Sequence, residues 1–230
     1  MSILALVFDF DGLILDTEST DFQSWQDVYR AHGCELRLED WADCVGRPAG
    51  HFDTFEHLER LSGGRIERDR IRAERSARMR ELNLAQPVLP GVRDYLREAR
   101  GLRLKIGLAS SSDRAWVHGH LGRLGLLDYF DAIKCVEDTG AHKPDPAPYL
   151  AVLDTLGVPP AGAVAFEDSP HGVAAAKAAG MLCVAVPNPV TRRLGLDQAD
   201  LVLDSLASVP LSALLARLDG ARPSDEREKS

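Results

Sequence analysis

No apolar run in this 230-residue chain is long enough to cross a bilayer; the longest, such as Ile3–Phe8 and Met181–Val186, fall far short of the roughly 20 residues required. The chain also opens without a basic segment or a small-residue cleavage site, so a cytoplasmic protein with no membrane partner is expected. Cysteine is scarce and scattered. Cys34, Cys44, Cys135 and Cys183 form no CxxC pair, which argues against both a zinc site and a disulfide framework. Positive charge is in deficit, with a net charge of -8, so the chain as a whole is not built to coat nucleic acid. Lysine is missing altogether between residues 16 and 86. There are no internal repeats and no low-complexity tract, and only the polar end, Ala221–Ser230, reads as a frayed tail.

What is present is globular, at 45% hydrophobic and 27% charged residues. Five short apolar runs, Ile3–Phe8, Leu104–Ala109, Ala132–Val136, Ala163–Phe166 and Leu182–Val186, alternate with helix-like segments, and a weaker sixth covers Leu201–Leu203. Runs apolar on both faces suit parallel strands covered by helices. The intervening segments 113–124, 145–156 and 170–179 read as helices. Asp145 before Pro146 and Ser169 before Pro170 are start signals, and Gly180 is a stop signal. The pattern is that of a doubly wound α/β domain. Residues 16–86 break it, with helical periodicity (Phe22, Trp25, Val28, Tyr29) and no convincing strand. They are expected to form a helical insert, the cap, over a core made of residues 1–15 and 87–220, with hinges near Asp16 and at 87–91.

The strongest local signal is Phe8-Asp9-Phe10-Asp11-Gly12 at the end of the first run. In an extended chain residues i and i+2 point the same way, so Asp9 and Asp11 converge at the carboxyl edge of the sheet, where open α/β folds bind ligands. Glu167-Asp168 ends another run, Ser110-Ser111-Ser112 a third, and Lys143 follows the run before it. Singly, each has a plain structural reading: a turn, a helix N-terminus favoured by the dipole, a loop, a solvated lysine. Together, each just beyond a strand, they describe gathered carboxylates that need a cation such as Mg2+, with a lysine and hydroxyls suited to a phosphoryl group. The set fits phosphoryl transfer, in which charge stabilisation does most of the work.

With these four motifs (Asp9-Phe10-Asp11-Gly12, Leu108-Ala109-Ser110, Lys143-Pro144 and Glu167-Asp168-Ser169) the chain resembles the haloacid dehalogenase superfamily, in the subgroup with a helical cap inserted after the first motif. The resemblance runs from Ile3 to about Leu218. It implies a nucleophile at Asp9 that becomes an aspartyl phosphate, an acid–base at Asp11, and phosphoryl-oxygen contacts from Ser110 and Lys143. It implies Mg2+ held by Asp9, the backbone carbonyl of Asp11 and Asp168, with Glu167 close by. Substrate contacts are expected from Ser111, from the cap segment 17–21, and from Gly46 and Arg47.

The missing cap lysine disfavours the phosphonate-cleaving branch of that family, and the presence of Asp11 disfavours the dehalogenases. The mutase branch acting on β-glucose 1-phosphate has a histidine where Asp21 stands and uses a cap lysine. The expected activity is therefore Mg2+-dependent hydrolysis of a small phosphorylated metabolite by a monomer. A phosphosugar mutase is the alternative, and a non-catalytic phosphate-responsive module the third reading. Residues 60–80 hold eight arginines against three acids, a net of 8 - 3 = +5, read mainly as a solvated helix face laced with short-range pairs. His118-Gly119-His120 reads as packing or surface histidines, since i and i+2 do not share a helix face.

Overall fold

The computed structural model describes residues 2–42 and 53–221. The elements in chain order are β1 (Ala5–Phe8), α1 (Thr17–Ala31), α2 (Leu38–Ala42), α3 (Thr54–Ser62), α4 (Arg68–Ala85), α5 (Val92–Gly101), β2 (Lys105–Ala109), α6 (Arg114–Arg123), β3 (Ala132–Lys134), α7 (Val136–Thr139), α8 (Ala147–Leu156), β4 (Ala163–Glu167), α9 (Pro170–Ala178), β5 (Leu182–Ala185), β6 (Leu201–Val202) and α10 (Leu211–Ala221). All six strands are parallel, in the order β3-β2-β1-β4-β5-β6. β1 is central, with Phe8 in register with Leu108 on one side and Phe166 on the other. The chain order reverses between β1 and β4, the place where such sheets open a crevice at their carboxyl ends.

Strand alternation divides the core. Leu6, Phe8, Leu108 and Phe166 face α5, α6 and α10. Ala5, Val7, Ala163 and Ala165 face α8 and α9, where small strand side chains let Tyr149, Val152 and Val173 approach closely. Phe8 stacks on Phe166 at 4.9 Å between ring centroids, and Tyr95 meets Phe166 edge-on at 5.6 Å.

Local signals act much as expected, with two corrections. Ser169 caps α9 by accepting from Gly172 N at 3.2 Å. Asp145 accepts from Ala147 N at 2.8 Å, but Pro146, not Asp145, is the capping residue, so the helix starts one turn position later. The third strand stops at Lys134; Val136 instead opens the short helix α7, where Cys135 N donates to Asp138 Oδ2 at 2.8 Å.

Between residues 16 and 86 the described residues form four helices, α1 to α4, and no strand. Asp16 caps α1 by accepting from Ser19 N at 3.0 Å, and Thr20 Oγ1 donates to Asn83 Oδ1 at 2.6 Å, tying α1 to α4. These helices carry a small core of their own, Trp25, Tyr29, Leu36, Trp41, Leu58 and Ile71, joined by Val190 from the loop after β5. The two connecting segments touch where Leu89 N donates to Ile14 O at 3.0 Å. Among the described residues no helix is long and apolar enough to cross a membrane.

Phe8 is completely buried at the centre of the aromatic stack. Truncating it with Phe8→Ala is expected to cost about 3–5 kcal/mol in unfolding free energy, read as a lowered denaturant midpoint at unchanged slope.

Candidate active site

β1 delivers Asp9, β2 delivers Ser110, the segment after α7 delivers Lys143, and β4 ends in Glu167 followed by Asp168. Parallel strands put all of these at one sheet edge. Asp9, Ser110, Lys143 and Asp168 line a cavity of about 740 Å³ together with Asp11, while Glu167 is fully buried beside it. Lys143 enters with its side chain only 6% exposed, donating to Asp9 Oδ1 and, at 2.6 Å, to Glu167 Oε1. Tyr149 also donates to Glu167 Oε1, and Asp168 N donates to Glu167 Oε2 at 3.2 Å. Asn188 Nδ2 donates to Asp168 Oδ2 at 2.7 Å, while Asn188 Oδ1 accepts from Val190 N and Thr191 N.

Two glycines let these groups come so close. A β-carbon on Gly12, whose φ is +79°, would stand 2.1 Å from Asp168 Oδ2. One on Gly172 would stand 1.9 Å from the Glu167 carboxylate.

Asp9, Glu167 and Asp168 each offer an oxygen within 4.8 Å of the others. Glu167 has both oxygens engaged, whereas Asp9 Oδ2 and Asp168 Oδ1 accept no hydrogen bond from the described residues. Hard oxygen donors, with more negative charge than one ammonium balances, fit a divalent cation of the Mg2+ kind, which takes only a few carboxylates. The Asp11 carboxylate is turned away from this cluster. Ser112 Oγ donates to its Oδ2 at 2.6 Å and Trp116 Nε1 to its Oδ1 at 2.9 Å.

The serines divide their tasks. Ser110 Oγ, 1% exposed as a residue, accepts from Ser112 N at 2.9 Å and keeps its own proton for another acceptor. Ser111 faces the cavity, and its Oγ accepts from Lys143 N at 3.0 Å. The insert contributes Thr17, Glu18, Asp21 and Met79 to the opposite wall. The Thr17 hydroxyl is buried without a hydrogen-bond partner among the described residues. Asp21 is paired with Arg75, whose guanidinium lies over the Trp25 ring at 4.7 Å. Other arginines of that stretch pair locally, Arg70 with Glu74 at 2.7 Å and Arg72 with Asp69 at 2.7 Å. His120 packs on Phe10 and Trp116. Cys34, Cys135 and Cys183 are free thiols. Gly46, Arg47 and Cys44 lie outside the described residues.

Glu18 falls in the segment 17–21 expected to face the core, whereas the sequence reading does not single out Trp116, Asn188 or Tyr149. Asn188 follows β5, the strand beside β4, and the rule that chemistry gathers just beyond strand ends points to it. Trp116 and Tyr149 lie inside helices, and their roles depend on side-chain direction that sequence spacing does not supply.

The haloacid dehalogenase-like hydrolase family model matches residues 6–186. The chain belongs to that family. YhcW of Bacillus subtilis (strain 168), whose name carries a provisional phosphatase assignment, is 45% identical over 217 residues, covering 94% of this chain and 98% of that one. Hexitol phosphatase B of Escherichia coli (strain K12) is 31% identical over 217 residues, covering 93% and 97%. The solved β-phosphoglucomutase of Clostridium difficile superposes with a TM-score of 0.68 at 25% identity, covering 95% and 98%. The haloacid dehalogenase-like chain is thus a hydrolase with the α/β fold of that family.

Electrostatics of this site follow from its burial. Burial pushes the Asp9 carboxyl up to about 8, opposed by the Lys143 ammonium and assisted by Glu167 and Asp11. Burial likewise raises Asp168 well above the carboxylate range, with the charges of Asp9 and Glu167 adding to the rise. Burial works against the charge on Lys143, but Asp9 and Glu167 more than reverse it and hold the ammonium protonated. Without a cation both aspartates therefore prefer the proton in the folded chain. For Asp9 the stability this adds is complete below its unfolded value, about 4, and is lost as pH rises through about 8; Asp168 shifts in the same direction. A divalent cation that displaces those protons removes the loss. The melting temperature with Mg2+ minus that with EDTA is expected to widen from pH 5 to pH 8, by differential scanning fluorimetry. A pH-independent difference would contradict the carboxylate cluster as the binding site.

Proposed function

We propose that this hydrolase is a Mg2+-dependent phosphatase of small, sugar-phosphate-like monoesters, working through an aspartyl phosphate at Asp9. The observation that carries the reading is the pairing of two unlike acids two residues apart. Asp9 is buried, held by Lys143 and open at Oδ2. Asp11 stands at the cavity wall on its own hydrogen bonds. The relatives named for hexitol phosphates and for phosphatase activity support the substrate class.

Asp9 attacks phosphorus, with Lys143 fixing its orientation and compensating charge on the phosphoryl oxygens. Ser110, with its hydroxyl proton uncommitted, donates to one of those oxygens. Asp11 gives its proton to the leaving oxygen, then takes one from the water that hydrolyses the aspartyl phosphate. Asp9, Asp168 and the Asp11 backbone carbonyl would hold Mg2+, with Glu167 anchoring Lys143 beside them. The ion supplies charge neutralisation on the phosphoryl group. The helices between residues 16 and 86 act as the cap over the leaving group, excluding water from the cavity wall that Glu18 and Asp21 line.

Asp21, where the mutase branch has a histidine, is ion-paired with Arg75. The insert still offers no lysine to a second phosphate. Phosphorus NMR on β-glucose 1-phosphate, primed with the 1,6-bisphosphate, is therefore expected to show inorganic phosphate and little glucose 6-phosphate. Rapid bisphosphate-dependent formation of glucose 6-phosphate would make the chain a mutase.

Asp9→Asn keeps the shape but cannot form the acyl phosphate. It is expected to abolish Mg2+-dependent turnover of p-nitrophenyl phosphate, and Asp11→Asn to slow turnover of alkyl phosphates roughly 10²–10⁴-fold. Near-normal kinetics in Asp9→Asn would refute the covalent route.

A further inference from the structure

Both oxygens of the Asp11 carboxylate are engaged, by two donors of different kinds. Ser112 Oγ donates to Oδ2 at 2.6 Å, and Trp116 Nε1 donates to Oδ1 at 2.9 Å. An indole N–H can only donate, whereas a hydroxyl can donate to a carboxylate and accept from a carboxylic acid. Oδ1 therefore always faces a proton and has to remain an acceptor. Oδ2 faces an oxygen that can reverse its role when the acid gains its proton.

The indole is itself held in place. Asp113 caps α6 by accepting from Trp116 N at 2.7 Å, which sets the backbone from which the ring extends. The His120 ring meets the indole edge-on at 4.2 Å between centroids and in turn lies 6.2 Å from Phe10, the residue between the two aspartates. The ring thus bridges α6 and the Asp9–Asp11 segment, and its one polar atom ends on Asp11.

We propose that Trp116 is a positioning residue for Asp11: with Ser112 it fixes the rotation of the carboxyl group and reserves Oδ2 as the oxygen that carries the proton. The inference rests on the acid–base role of Asp11 described above. In the first half-reaction an Asp9 oxygen bonds to phosphorus as the bond to the leaving oxygen breaks. The electron pair of that bond stays on the leaving oxygen, which takes the proton from Asp11 Oδ2. In the second, a water oxygen bonds to phosphorus and passes a proton to Oδ2, the bond to Asp9 breaks, and inorganic phosphate leaves. Asp11 ends as it began, and Oδ1 never carries a proton. Without the indole N–H the carboxyl can turn over and present the wrong oxygen.

The test exploits leaving-group dependence. kcat/KM reports only the steps through departure of the leaving group. p-Nitrophenolate departs without a proton donor, and the alkoxide of glucose 6-phosphate or β-glycerophosphate does not. Trp116→Phe retains the ring and loses the N–H, Ser112→Ala loses the hydroxyl, and Ser112→Thr retains it. Asp11→Asn is the reference for loss of the acid. In Trp116→Phe and in Ser112→Ala, kcat/KM for the alkyl phosphate is expected to fall about tenfold further than for p-nitrophenyl phosphate, the worth of one hydrogen bond to a charged group. Ser112→Thr recovers most of the alkyl-phosphate rate. If Trp116→Phe is unstable by circular dichroism, the Ser112 pair carries the same comparison. A selective loss in Asp11→Asn together with an equal loss on both substrates, or none, in the folded Trp116 and Ser112 variants would overturn the positioning role and leave Asp11 as the acid. No selectivity in Asp11→Asn would instead refute the acid role of Asp11, and the inference with it.

Discussion

Three carboxyl groups, Asp9, Glu167 and Asp168, share one buried corner of the sheet edge, and a single ammonium, that of Lys143, enters among them. Taking like charges out of water together is among the more expensive arrangements a fold can make, and mutual attraction with one lysine offsets only part of it. Much of the surrounding structure serves to hold that corner. Tyr149 reaches from α8 to Glu167, Asn188 from the loop after β5 to Asp168, and two glycines leave room for the carboxylates. The imbalance is also what makes the corner useful. A corner short of positive charge suits a divalent cation and, with Lys143, the phosphoryl group of the proposed reaction.

The division of labour proposed for the paired acids follows from surroundings rather than from residue type. Asp9 and Asp11 are chemically identical and separated by one phenylalanine. Asp9 lies 6% exposed beside an ammonium, whereas Asp11 stands half-buried on a hydroxyl and an indole. A fixed charge partner suits an attacking oxygen, and neutral donors that can be exchanged suit a group that gives and takes a proton.

The strands and the four motif positions were legible in the sequence because they depend on local pattern: apolar runs, Pro after a capping residue, acids just past a strand. The insert was legible as a break in that pattern, but the direction of its side chains was not. Among its arginines, Arg70 and Arg72 pair along their own helix as expected, while Arg75, on the same helix, turns inward over Trp25 to Asp21. Helical phase places residues 70, 72 and 75 at different angles. Choosing which angle faces the cavity requires knowing how α4 leans on α1, which is a tertiary contact. Trp116 and Asn188 escaped for the same reason: their partners, Asp11 and Asp168, lie 105 and 20 residues away in sequence.

Val190 links two parts of the molecule that the chain itself joins elsewhere. It sits 1% exposed in the aromatic core of the helical insert, on a loop whose Asn188 grips Asp168. Besides the two covalent connections and this side chain, Arg193 pairs with Glu39 of α2 at 2.7 Å and Arg123 donates to Asn83 O of α4 at 3.2 Å. Lifting the insert straight off would expose the valine to water at a cost of about 1.5 kcal/mol or more, besides that of the aromatic rings it covers. A rolling movement that keeps the valine seated, like a ball in a socket, avoids that cost.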